Sequence, residues 1–106
     1  METTKTWQEI VERSTRERVW YPVDVTLHEL SVSGLVVKNS RTHALLEDVS
    51  ATGMRVSAVR RLMPFTSVFC EVTVQGTRVG RPTIAQVRWI ARLKSGDYSI
   101  GLQYLL

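Results

Sequence analysis

A short polar segment, Asp48-x-Ser50-x-x-Gly53, carries the groups in this sequence best suited to recognition. Residues two apart on a strand project to the same side, so the carboxylate of Asp48 and the hydroxyl of Ser50 are expected to lie together. Gly53 can supply the positive φ angle with which the chain reverses. An ionised carboxylate is a suitable acceptor for paired N–H donors such as those on the Watson–Crick edge of guanine. The same side chains can instead cap the amides of their own turn, and spacing alone favours capping.

Catalytic groups are sparse in the sequence. His28 and His43 are the two histidines, and each lies in a strand-like run without a spaced nucleophile or carboxylate partner. Together with the single cysteine, Cys70, they show no metal-ligand spacing. The sequence therefore predicts a binding protein rather than an enzyme, with no metal site and no cofactor.

The elements that position these groups are predicted to be strands. Val23, Val25 and Leu27 alternate with polar residues, which is the period of a half-buried strand. The same period predicts further strands over Thr42 to Ser50, Met54 to Ala58, Val68 to Val74, Thr77 to Ala91 (as one or two strands) and Tyr98 to Leu105. About six short strands in one small chain predict an antiparallel barrel. Its interior should include Val25, Leu27, Val56, Val72, Val87 and Leu102, with Cys70 also buried.

The N-terminal residues have a different pattern. Thr6-Trp7-Gln8-Glu9 has the form of a capping box, which predicts a short helix. Residues 12–18 are rich in arginine and have no apolar face, so they are expected to form an exposed arm. The predicted division is a helix and arm over residues 1–18 and a barrel over residues 19–106, within a single domain.

Composition limits the partners and the location. The 106 residues carry a formal net charge of +4, and eleven of the fourteen basic residues are arginine, whose planar fork suits guanine edges and phosphates. A charge of this size can also serve only to keep a small domain soluble. Apolar runs are at most three residues long, so neither a spanning helix nor a signal peptide is expected, and the predicted location is the cytoplasm.

Three parts of the chain resemble the bacterial PilZ domain family. Asp48-x-Ser50-x-x-Gly53 matches that family's (Asp or Asn)-x-Ser-x-x-Gly motif. Upstream, Arg16 to Val23 is similar to its basic arm running into the first strand. Val87-Arg88-Trp89, followed by Gly96 to Tyr104, is similar to its closing hairpin.

The resemblance implies a six-stranded barrel that binds the second messenger cyclic di-GMP on its outer face, with the arm folding over the nucleotide. It implies that Asp48 and Ser50 address one guanine and that Gly53 shapes the loop. Arginines of the arm would contact guanine N7 and O6 and the phosphates; the candidates are Arg13, Arg16 and Arg18. Trp89 falls where some relatives stack a ring on a guanine, although an ordinary barrel tryptophan is the alternative.

One departure concerns the arm. The family's pattern is Arg-x-x-x-Arg, whereas this chain has Arg13-x-x-Arg16-x-Arg18. Arg18 best matches the second arginine, and the first is then Arg13, one residue too far, or Arg16, two residues too close. The leading prediction is a cyclic di-GMP receptor that signals to a partner protein through its arm. The alternatives are a PilZ-like adaptor that binds protein without nucleotide and a small-barrel nucleic-acid binder.

Overall fold

The computed structural model describes residues 17–18, as backbone, and residues 22–105. Eight strands are present in these ranges: β1 (Glu17–Arg18), β2 (Val23–Glu29), β3 (Thr42–Val49), β4 (Gly53–Ala58), β5 (Ser67–Val74), β6 (Thr77–Arg78), β7 (Thr83–Arg92) and β8 (Tyr98–Tyr104). The described residues contain no helix. The predicted helix near Thr6 to Glu9 lies outside them.

Six of the strands close into an antiparallel barrel. Neighbouring strands follow the order β3-β2-β5-β7-β8-β4, and β4 also pairs with β3, which completes the ring. The predicted run from Thr77 to Ala91 divides into two strands, of which β6 adds only a short pairing to β5. The all-β architecture and the six-stranded barrel predicted from the sequence are confirmed.

The core lies inside the ring, where the alternating apolar side chains meet. All six residues predicted for the interior are buried, as is Cys70. Burial in this apolar interior raises the pKa of the Cys70 thiol to about 12. Leu62, in the connection from β4 to β5, is buried too and packs within the same core. Since β4 and β5 lie on opposite sides of the ring, this connection crosses the mouth of the barrel, and Leu62 closes the core there.

The barrel has two distinct ends. The turn between β3 and β4, residues 50–52, lies at one of them, which we call the motif end. Residues 30–41 join β2 to β3, residues 59–66 join β4 to β5, and residues 93–97 join β7 to β8. The strand registers place all three of these connections at the opposite end, which we call the distal end.

Candidate ligand-binding groove

A groove of about 460 Å³ runs along the outer wall of the barrel beside the motif end. It lies across β4, β8 and β7, and it is bordered by the end of β3 and by the turn between β3 and β4. Its volume is within the range of small-molecule sites, roughly 300–1,000 Å³. The lining residues are Asp48, Ser50, Thr52, Gly53, Met54, Arg55, Arg88, Trp89, Gly101, Leu102 and Gln103. Four residues predicted for the site from the sequence are thus brought together: Asp48, Ser50, Gly53 and Trp89.

Two irregularities in the strand pairing supply the groove with polar and aromatic side chains. The register of β3 against β4 shifts between Leu46 and Asp48, and the register of β7 against β8 shifts between Val87 and Trp89. Each bulge lets two consecutive side chains face outward, where a regular strand would turn one of them inward. On β7 this places both Arg88 and Trp89 on the outer surface. Trp89 is 45% exposed, so part of its ring is accessible from solvent.

Asp48 forms an ion pair within the groove. Its Oδ2 lies 3.0 Å from Nη2 of Arg55, the residue opposite it on β4. Because the carboxylate contacts this guanidinium rather than the turn amides, the expectation that Asp48 caps the turn is wrong. Both side chains are partly exposed, so the pair is open to exchange with a charged or polar ligand.

Ser50 caps the turn. Its backbone N–H donates to the carbonyl of Gly53 at 2.9 Å. Its Oγ accepts from the amide of Thr52 at 3.3 Å and lies 3.2 Å from the Thr52 hydroxyl. The capping interpretation of the motif therefore applies to Ser50, which still borders the groove.

Glycine is required at position 53 because the backbone of β8 lies too close for a side chain. The positive φ angle expected from the sequence is not the reason. Gly53 is not among the residues with positive φ. A Cβ on Gly53 would instead lie 2.1 Å from the carbonyl oxygen of Leu102 on β8, a distance that real side chains do not reach. Gly101 has a similar role on the opposite strand, since a Cβ there would lie 2.2 Å from the indole of Trp89. The indole therefore packs directly on the backbone of Gly101 in the wall of the groove.

Arg88 is a cation that sequence reasoning did not assign to the site. Its Nη1 donates to Oε1 of Gln86 at 3.2 Å, and its guanidinium carbon lies 5.8 Å from the centre of the Phe65 ring. It has no ion pair within the described residues. Arg88 directly precedes the predicted Trp89, and Arg55 lies two residues after Gly53, but the bulge and the register that bring them into the groove cannot be read from those spacings.

The arm reaches the groove through its backbone. Glu17 pairs with Val49 and Arg18 with Asp48, on the edge of β3 that β2 has left. The main chain of Arg18 therefore lies beside that of Asp48. Arg13 and Arg16 lie outside the described residues, as does the side chain of Arg18.

Comparison of the sequence with models of known protein families shows which family the chain belongs to. The family model of the PilZ domain matches residues 12–106. The chain belongs to the PilZ domain family. PilZ domains are cyclic di-GMP receptor and adaptor domains and are not generally enzymes. Searches of the curated proteins and of the solved structures found no match.

The remaining described residues of this PilZ domain include the two histidines and the single cysteine considered above. His28 lies on the outer face of β2, with its Nε2 3.2 Å from Oε1 of Glu71, in the strand role predicted for it. Residues 22–105 contain no group of three or more potential metal ligands. No helix long and apolar enough to span a membrane occurs in the described part of the chain.

Proposed function

We propose that this chain is a cytoplasmic bacterial receptor for cyclic di-GMP, which it binds in the groove beside the motif end. The observation that carries the proposal is the gathering of Asp48, Ser50 and Trp89 in one groove, in a chain of the PilZ family. The backbone of Arg18 adjoins the same position.

The chemistry of guanine supports this ligand. Its N1–H and N2–H donors suit the carboxylate of Asp48, whereas the Watson–Crick edge of adenine presents an acceptor at N1. When Asp48 turns to a guanine, Arg55 is released from its ion pair and becomes available to guanine N7 and O6 or to a phosphate. Base recognition and the release of a cation thus take place at one position.

The remaining groups suit the aromatic and anionic parts of the ligand. The face of Trp89 offers a stacking surface, and base–aromatic stacking contributes about 1–3 kcal/mol. Arg88, which has no acidic partner within the described residues, suits a phosphate of the ligand. In this role it supplements the arm, whose arginine spacing departs from the family pattern.

The arm is the element through which we propose that binding is communicated. Within the part of the chain that the structure describes, two residue pairs join β1 to β3, beside Asp48. We propose that the arm rearranges about this point when the ligand binds. A ligand held by Asp48 and by arm arginines favours one arm conformation, and a partner protein reads that conformation.

Calorimetric titration tests the proposal. Cyclic di-GMP should bind, whereas cyclic di-AMP, GTP and a short single-stranded oligonucleotide should bind at least about tenfold more weakly or not at all. Asp48→Ala should weaken binding of cyclic di-GMP, and Asp24→Ala is the matched control because Asp24 is an exposed carboxylate on β2 outside the groove. Equal affinity for both cyclic dinucleotides would show that the base is not read.

A protein adaptor that binds no nucleotide is the second candidate. It is favoured by the contacts of Asp48 and Ser50, which already have partners within the chain. If neither the wild type nor Arg55→Ala, which frees the carboxylate of Asp48, takes up cyclic di-GMP, the adaptor function becomes the better one.

A further inference from the structure

Exposed apolar side chains are concentrated at the distal end of the barrel. Of the eleven large apolar residues exposed in the described part of the chain, eight lie on the three distal connections. They are Val32, Leu35, Val36, Val37, Val59, Met63, Phe65 and Leu93. Apolar side chains exposed singly are ordinary, so their concentration at one end makes this end the candidate interaction surface of the barrel.

Two of the distal connections are held against the barrel strands by specific contacts. Nη2 of Arg60 lies 3.9 Å from Oε2 of Glu29, which ties the β4–β5 connection to the end of β2. The amide of Leu30 donates to the carbonyl of Ser67 at 2.9 Å, and the amide of Phe65 donates to the carbonyl of Val87 at 2.6 Å. These contacts fix the β2–β3 and β4–β5 connections to the ends of the barrel strands.

The same end is basic. Six exposed cations lie on or beside the three connections: Lys38, Arg41, Arg60, Arg61, Arg92 and Lys94. The acidic residues of these segments are Glu29, which is paired with Arg60, and Asp97. Exposed apolar side chains that are surrounded by excess positive charge suit a partner that is apolar inside and anionic at its surface.

We propose that the distal end docks on the surface of an anionic lipid bilayer. Exposed apolar residues such as Val32 and Leu35 enter the boundary between headgroups and acyl chains, while the lysines and arginines stay at the level of the anionic headgroups. The described barrel then lies on the membrane without crossing it.

The form of the surface favours a bilayer over a protein. The apolar residues stand on three separate loops, and Val32 is fully exposed at a relative accessibility of 109%. A protein partner would need a surface complementary in shape to each of the three loops. A bilayer needs no such complementary surface, because apolar side chains on separate loops can each enter it. The groove lies on the side wall beside the motif end, and Phe65 is the distal apolar residue that contacts one of its lining residues, Arg88. The inference does not depend on the proposed nucleotide.

Co-sedimentation with vesicles tests the proposal. The wild-type chain should bind phosphatidylglycerol-rich vesicles at least about fivefold more tightly than pure phosphatidylcholine vesicles, and added salt should weaken binding. Val32→Ser/Leu35→Ser should reduce binding at least about fivefold. Leu45→Ser is the matched control, because Leu45 is exposed on the barrel wall, and it should bind as the wild type does.

Charge is tested separately with Arg61→Gln/Lys94→Gln. Its matched control is Arg81→Gln, an exposed arginine between β6 and β7, away from the distal connections. The distal variant should lose affinity for anionic vesicles and the control should not. Phe65 is left unchanged because its ring contacts Arg88 of the groove. Unchanged far-ultraviolet circular dichroism and thermal midpoints establish that each variant is folded.

Three results would overturn the proposal. They are failure of the wild type to bind phosphatidylglycerol-rich vesicles, equal binding to both kinds of vesicle, and distal variants that bind as well as their controls. Concentration-dependent association that is abolished by Val32→Ser/Leu35→Ser, without vesicle binding, would instead assign the surface to a second copy of the chain. Titration with cyclic di-GMP is a separate measurement, so failure of one proposal leaves the other standing.

Discussion

Gly53 and Gly101 allow neighbouring atoms to approach the backbone of the groove more closely than a side chain would permit. The neighbour of Gly53 is the main chain of β8, which is held in the barrel ladder. The neighbour of Gly101 is the ring of Trp89, which is partly exposed and can move. The two glycines therefore have different roles. Gly53 maintains the pairing of the barrel strands, and Gly101 maintains the shape of the groove.

Alanine at each glycine should separate these properties. Gly53→Ala should lower the free energy of unfolding by about 1–3 kcal/mol, because a strand pair must spread to admit the methyl group. Gly101→Ala should cost less and should instead lift the indole of Trp89, which urea titration and acrylamide quenching will measure. Replacing Trp7 and Trp20 by Phe leaves Trp89 as the only emitter of the chain's three tryptophans. Equal destabilisation by the two variants, with unchanged quenching, would contradict this assignment.

Arg18 should contribute to binding and little to stability. Arg18→Ala should weaken binding of cyclic di-GMP by about 1–3 kcal/mol, the value of one bidentate contact to guanine, as measured by calorimetry. Urea unfolding should change by less than about 0.5 kcal/mol, as for a surface substitution. Arg81→Ala is the control for loss of a positive charge.

The arginine spacing adds a second expectation for the arm. Arg13 and Arg16 cannot both be in register with Arg18, so one of their alanine variants should have distinctly less effect than the other. If all three single variants bind as tightly as the wild type, the arm does not hold the nucleotide.

Strand positions were readable from the sequence because burial on one face imposes a period of two. Val56 and Val87 were assigned to the core correctly for this reason. The bulges were not readable, since an extra residue in one strand is defined only by its partner strand. The sequence therefore indicated Asp48 and Trp89 through their likeness to a family, but it could not indicate that Arg55 and Arg88 share their groove. It also assigned to Gly53 a φ angle where the structure requires close approach.

The start of β3 carries a polar atom that its surroundings do not satisfy. Oγ1 of Thr42 is buried and has no hydrogen-bond partner among the residues that the structure describes. Thr42→Val keeps the shape and removes the unsatisfied hydroxyl, so it should raise the free energy of unfolding by about 1–3 kcal/mol, measured by urea titration. Thr26→Val on β2 is the control, because Thr26 faces outward and is only partly buried. A loss of stability in Thr42→Val would mean that the hydroxyl has a partner after all.

All six barrel strands share one core, so a titrating group inside it affects the stability of the entire domain. Burial raises the pKa of the Cys70 thiol and also that of the nearby Tyr104 phenol. In the unfolded chain a thiol ionises near pH 8.5. Above that pH the unfolded state releases its proton while the folded state keeps it, so ionisation favours unfolding.

Stability should therefore fall as the pH rises from about 8.5 towards the folded-state pKa of about 12 for Cys70. The slope contributed by the thiol approaches about 1.4 kcal/mol per pH unit, and below pH 8 it vanishes. Urea titrations between about pH 8 and 9.5 avoid the ionisation of lysine. Cys70→Ala should be less stable throughout but should show a shallower slope. Identical slopes in the two proteins would show that the thiol is not responsible.

The closing of the ring also determines when this protein can fold during its synthesis. β8 is the last strand of the barrel to be made, and it pairs with both β7 and β4. Until residues up to Tyr104 have left the ribosome, the outer edges of β4 and β7 remain unpaired and open to other chains. The groove depends on the same event, because Gly101, Leu102 and Gln103 form one of its walls. A nascent chain therefore lacks the complete groove until β8 has emerged.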